Sequence, residues 1–200
     1  MSTVPVRRYT AEEYLALERQ SETKHEFYRG EIFAMAGASL PHNRIVSNLV
    51  FRARSSLTAG PCEVLPSDMR VKTPRGLYTY PDMVIVCGEA DLEDSVKDTL
   101  LNPTVLFEVL SPSTEAYDRG KKFEFYREIQ SLREFVIVSQ DRMLVEHFVR
   151  EDDLAHWRMA PLRLPHEELK VLDGRCCLTL ANVYENVVFA PPATDTESAN

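Results

Sequence analysis

Residues 102–126 read NPTVLFEVLSPSTEAYDRGKKFEFY, and this stretch decides the fold. Val105, Leu106, Phe107, Val109 and Leu110 are apolar at successive positions rather than alternate ones. That pattern marks a strand covered on both faces, as in the middle of a sheet flanked by helices. Glu108 interrupts the run, and a lone carboxylate in such surroundings loses several kcal/mol of solvation unless a cation or donors compensate it. The chain then turns through Ser111-Pro112-Ser113-Thr114 into a helix over about 119–129 that carries Lys121 and Lys122. A buried acid with a basic helix behind it reads as half of a site.

The other half lies upstream. Pro81-Asp82 opens Met83-Val84-Ile85-Val86, a second run apolar at every position. The interval between Asp82 and Glu108 holds a connection between neighbouring strands, so the two carboxylates are expected to converge. Mg²⁺ is bound by one or two carboxylates with water and phosphate oxygens completing its shell, and such an ion activates water against a phosphodiester. Lys122 follows Asp118 by four residues and precedes Tyr126 by four, so the three share a helix face. Its ammonium is placed to stabilise phosphoryl charge, while Lys121 points into solvent; the plain reading of Lys122 is a surface pair with Asp118.

Outward from these strands, Thr10 and Glu13 form a capping box that starts a helix to about Arg19, with Tyr14, Leu15 and Leu17 on its apolar side. Residues 25–35 form a hairpin around Arg29-Gly30, with the His25-Glu26 pair at the surface. Residues 41–59 are helical by their three- and four-residue apolar spacing, and Gly60-Pro61 stops them. Strands are expected at 62–65, 69–73 and 80–87, then an acidic surface loop at 89–98. Glu134–Val138 is another buried strand, joined through Asp141-Arg142 to a hairpin partner at 143–149. Weaker strands at 157–160 and 176–180 and a short helix near 181–188 complete a mixed α/β (α+β) sheet flanked by helices. The expectation is one domain over residues 1–190 and a disordered tail over 191–200, PATDTESAN after a second proline.

Composition narrows the function. Two hundred residues with 44% hydrophobic content supply one core, and a net charge of −8 excludes coating nucleic acid by bulk electrostatics. Local basic patches are open at Arg70, Lys72 and Arg75, and at Arg119, Lys121, Lys122 and Arg127. Cys62 and Cys87 lie in apolar runs and Cys176-Cys177 are adjacent, so all four read as reduced core residues of a cytoplasmic protein. The amino terminus has no apolar signal core, and no run approaches the length of a membrane span.

The set Pro81-Asp82 and Glu108-Val109-Leu110 resembles the PD-(D/E)-x-K nuclease superfamily, built on a restriction-endonuclease-like mixed sheet. Tyr28-Arg29-Gly30-Glu31, His42, Tyr80-Pro81-Asp82, Glu108 through Ser113, Asp118-Arg119, Lys122 and Tyr126 resemble more closely its Uma-type ("Uma-two") branch, over about residues 8–188. The resemblance implies an endonuclease using Mg²⁺ (or Mn²⁺), with Asp82 and Glu108 as metal ligands and Lys122 as catalytic lysine. DNA is the implied substrate, and a homodimer is expected because a two-fold pair cuts two strands most simply. The superfamily places its lysine two positions after the glutamate, where this chain has Leu110; the branch draws its ammonium from the next helix. Glu31 is either a third metal-shell acid, by that resemblance, or an exposed hairpin charge. His42, after Pro41, either caps and packs a helix end or faces the site. Two other readings stay open. One is an inactive nuclease-fold DNA-binding or scaffold protein. The other is a two-carboxylate glycoside hydrolase, whose acids stand about 5–9.5 Å apart; its sugar platforms are hard to find around a single Trp157.

Overall fold

The computed structural model describes residues 7–111, 115–153 and 155–189. Most of the expected turn at 111–114 and the whole tail at 191–200 lie outside them. Helix α1 (Ala11–Glu18) is followed by strands β1 (His25–Tyr28) and β2 (Glu31–Ala34), helix α2 (Leu40–Ser56), and strands β3 (Cys62–Pro66), β4 (Arg70–Lys72), β5 (Tyr78–Thr79), β6 (Met83–Cys87), β7 (Thr99–Leu100) and β8 (Val105–Leu110). Then come α3 (Glu115–Tyr117), a π-helical turn (Asp118–Lys122), α4 (Phe123–Tyr126), β9 (Glu134–Ser139), β10 (Val145–Arg150), β11 (Trp157–Leu162), β12 (Glu168–Val171), β13 (Cys176–Thr179) and α5 (Leu180–Val183).

The main sheet has the order β11-β10-β9-β8-β6-β3, with β8 and β9 parallel and the other pairs antiparallel. Glu108 sits on its central strand, every residue of which is buried. Alternation divides that strand between two cores. Val105, Phe107 and Val109 pack with Ile45, Leu49 and Ala53 of α2, with the β12-β13 hairpin, and with Leu180 and Val183 of α5. Leu106 and Leu110 face the opposite side, against Tyr126, Ile129, Leu132, Val71 and Leu100. Glu108 shares this second face, so the run of apolar residues is explained by cover on both sides. Burying one leucine-sized side chain contributes about 1.5–3 kcal/mol, and β8 shares full burial with its parallel neighbour β9.

A second sheet, β2-β1-β5-β4-β7, went unread in the sequence. Two of its strands, β5 and β7, are two residues long and carry no periodic signal. It packs beneath α1 through Tyr14, Leu15, Phe27 and Tyr78. The capping box of α1 forms as expected, with Glu13 N–H donating to Thr10 Oγ1 (3.2 Å) and Thr10 N–H to Glu13 Oε2 (2.9 Å). The inward face is set differently: Leu17 is half exposed and Glu18 is buried. Glu18 accepts from Tyr80 Oη (2.9 Å) and from the His25 backbone N–H (2.9 Å), so polar partners rather than apolar spacing orient the helix end. The Arg29-Gly30 turn takes positive φ at both residues (49° and 84°), the two-residue hairpin geometry that suits strand twist.

The cysteine expectation is corrected. Cys62 and Cys87 are cross-strand partners on β3 and β6, with Cα atoms 4.0 Å apart, and they form a disulfide. Register brings them together, and spacing along the chain cannot show register. Cys176 and Cys177 are free, one buried and one exposed. The cytoplasmic expectation therefore loses its argument from reduced thiols. Among the described residues no helix is long and apolar enough to cross a membrane.

Candidate active site

Three elements converge at the end of the main sheet. β6 and β8 are antiparallel neighbours with Met83 opposite Phe107, so the loop residue Asp82 arrives beside Glu108 and Val109. The Val109 N–H donates to Asp82 Oδ2 (2.7 Å), and Asp82 Oδ1 lies 3.2 Å from His42 Nε2. That second contact comes from the first turn of α2, whose Ser39 side chain caps it by accepting the His42 N–H (3.2 Å). The cap is therefore Ser39 and not His42, whose ring faces the site with its Nδ1 buried and no hydrogen-bond partner among the described residues.

From the other side the α3–α4 segment delivers the lysine. Lys122 Nζ stands 3.0 Å from Glu108 Oε1, 3.2 Å from Glu26 Oε1 and 3.5 Å from Asp118 Oδ1. Tyr126 Oη donates to Glu108 Oε1 at 2.6 Å. Asp118, Lys122 and Tyr126 do share a face, and the residues between them form a π turn, a helix irregularity frequent at functional sites. Lys121 is exposed, as its position predicts. Lys122 is not a surface partner of Asp118: Lys122, Asp118 and Glu108 are each 4% exposed.

Burial pushes the Glu108 carboxyl up to about 8, with Asp118 and Asp82 adding repulsion and Lys122 and the Tyr126 bond opposing it. Burial alone would lower the Lys122 ammonium, but Glu108, Tyr126, Glu26 and Asp118 together hold it well above its ordinary value. These two directions compete, since a neutral Glu108 would release Lys122. Three carboxylates surround one ammonium, which keeps the lysine charged. Burial also raises the Tyr117 hydroxyl, at the edge of the group, to about 12.

Glu31 is not brought here. It is 44% exposed at its side chain and pairs with Arg8 at 3.1 Å. The acid that β1 contributes is Glu26, which also accepts a hydrogen bond from Thr79 Oγ1. Its neighbour His25 bonds to Glu18 (2.9 Å), so the pair expected at the surface is half-buried. Glu26 was missed because β1 is a four-residue strand on a sheet the sequence did not announce. Lys121 and Arg127 stay exposed, but most members of the basic patches are engaged. Arg70 is buried beside Tyr80, Thr99 and Asp98, Lys72 pairs with Glu93, Arg75 with Glu128, and Arg119 with Glu115 and Glu146.

The group opens into a cleft of about 770 Å³ whose lining includes Glu26, Asp82, Glu108, Asp118 and Lys122. Among the described residues no three His, Cys, Asp or Glu side chains stand together as a metal cage. The hard oxygens of Asp82 and Glu108, with Glu26 nearby, nevertheless fit Mg²⁺ or Mn²⁺, which needs only one or two carboxylates beside water and substrate oxygens.

The model of the Uma2 family, described as "Putative restriction endonuclease", matches residues 11–179. A Synechocystis sp. relative, "Uncharacterized protein sll1609", is 35% identical over 162 residues, covering 80% of this chain and 91% of that protein. A second from the same organism, "Uncharacterized protein slr1290", is 34% identical over 152 residues, 76% of this chain and 79% of its own. The crystal structure of "a putative nuclease belonging to DUF820" from Anabaena variabilis superposes with a TM-score of 0.70 at 16% identity, covering 88% of this chain and 97% of that one. This last likeness is one of fold.

Proposed function

The chain belongs to the Uma2 family, and from that premise we propose that it is a metal-dependent DNA endonuclease hydrolysing phosphodiester bonds. The observation that carries the reading is Lys122: a fully buried ammonium 3.0 Å from Glu108, at the mouth of which Asp82 is fixed by a backbone N–H. A structural core has no use for this arrangement, because an ion pair of this kind stabilises no better than apolar residues of the same volume. Asp82 and Glu108 would hold Mg²⁺ or Mn²⁺, and Glu26 takes the third-acid role expected of Glu31. A bound divalent ion supplies charge to the scissile phosphate and acidifies the attacking water. The chain's own residues do the rest. Val109 N–H and His42 orient Asp82, Tyr126 orients Glu108, and Lys122 offsets the negative charge that grows on phosphorus in the transition state. Two copies about a two-fold axis would cut both strands.

Purified protein with Mg²⁺ or Mn²⁺ should nick or linearise supercoiled plasmid, and Asp82→Ala or Glu108→Ala should remove that activity. Equal cutting by wild type and Asp82→Ala would overturn the assignment. One observation favours a second reading, an inactive nuclease fold that only binds DNA: Lys122 is already engaged by three carboxylates. Isothermal titration separates the two, since the inactive form takes up no Mg²⁺ or Mn²⁺ at millimolar concentration.

A further inference from the structure

One wall of the cleft is apolar and uncovered. Phe33 and Met35 line it, 48% and 37% exposed. A solitary exposed phenylalanine is ordinary on a protein surface; this one is placed by register. Phe33 is the cross-strand partner of Glu26, and directly opposed residues of an antiparallel pair project from one face with Cβ atoms about 5 Å apart. The ring therefore stands beside the carboxylate that touches Lys122. Ala34, Ala36, Gly37 and Ala38 continue the wall with side chains too small to cover it, and a Cβ on Gly37 would meet nothing within 4 Å.

The charges of the cleft say what the wall is for. A duplex is gripped through its phosphates by lysines and arginines. Among the described residues lining the cleft the only such cations are Lys24 and Lys122. Lys24 is bound to the Ser67 carbonyl (2.9 Å) and paired with Asp68, and Lys122 is held by its three carboxylates. Little cationic grip is left for the backbone of either DNA form, so the ring has to supply the recognition: an exposed aromatic binds an unpaired base through a π-face that a paired, stacked base does not offer. We propose that Phe33, with Met35 on the same wall, stacks an unpaired nucleobase and that unpaired DNA, a free single strand or a locally opened stretch of supercoiled duplex, is the substrate class of this site. The inference rests on the nuclease reading for the chemistry that follows, but the binding step stands by itself.

The test is fluorescence anisotropy with a fluorescein-labelled single-stranded 12-mer and its blunt duplex, in Ca²⁺ so that binding is read without turnover. A second 12-mer carrying 2-aminopurine reports stacking by quenching. The single strand should bind tighter than the duplex. Phe33→Ala should weaken single-strand binding by about tenfold and abolish the quench, Phe33→Trp should retain both, and Phe33→Leu, which keeps apolar bulk, should lose the quench. Equal affinity for the two DNA forms, unchanged binding by Phe33→Ala, or no binding of either DNA overturns the proposal. So does a change of oligomeric state in Phe33→Ala with DNA binding intact, which would make the wall a contact with a second copy. Single-strand binding that depends on Phe33 without any Mg²⁺-dependent cutting would sink the nuclease reading and leave this one standing. Asp82-dependent cutting indifferent to Phe33 would do the reverse.

Discussion

Lys122 balances Glu26, Glu108 and Asp118 at the floor of the cleft, where little of any of the four side chains is exposed. Removing it leaves three acids facing one another without a cation. Breaking a buried pair from one side typically costs about 3–5 kcal/mol, so Lys122→Ala should show a loss of that size in urea unfolding as well as losing any cutting. Glu108→Gln keeps the shape and a group able to meet Tyr126 Oη, and its cost should stay near 1–2 kcal/mol. Should Lys122→Ala unfold at the wild-type midpoint, the cluster would have to be open to water. Glu108 and Asp82 were legible because a carboxylate in a run of apolar residues has no ordinary explanation. Glu26 was not, because it alternates along a short strand whose burial depends on a sheet assembled from distant pieces.

At the level of elements, the acidic stretch at 89–98 is the expected surface loop and also a clamp. Asp98 accepts from Arg19 Nε at the end of α1 (2.8 Å) and pairs with the buried Arg70 (2.9 Å), and Arg70 in turn donates to Tyr80 Oη (2.9 Å), two residues before Asp82. The Arg19 hydrogen bonds, with Arg70 in support, hold the Asp98 carboxyl well below its ordinary 3.8. A carboxyl depressed by folding contributes stability that is complete above its unfolded value and disappears as pH falls through the folded one. Asp98→Asn should therefore unfold more easily than wild type at neutral pH, and the gap in urea midpoints should close as pH drops below 3.8. A constant gap down to pH 2 would show that the arginines do not depend on this charge. The strands of the main sheet and α2 were readable because their periodicity is continuous over many residues. The two-residue strands and the π turn were not, since neither has a period to read.

Across the whole molecule the Cys62–Cys87 bond ties an edge strand to the strand that leads out of Asp82, and it closes a loop of 25 residues. A cross-link over that length restricts the unfolded chain by about 3.5 kcal/mol. Urea unfolding in dithiothreitol should lose stability of that order, and Cys62→Ser should lose at least as much, while an unchanged midpoint would show that the thiols do not pair in solution. Pairing of this kind is decided by strand register, which is a property of the assembled sheet.

Register is also what the contact from Val109 to Asp82 measures. The bond joins β8 to the entry of β6, and successive residues of a strand face opposite sides of the sheet. A slip of one position would turn Glu108 toward the α2 core and present Phe107 or Val109 to the cleft. An assembly with that error would be compact, with its sheet apparently complete, yet lack Glu108 at the cleft. On the metal-dependent reading proposed above, divalent-ion uptake would accordingly serve as a proofreading signal for refolded preparations, separating correctly paired molecules from misaligned ones that circular dichroism counts as folded.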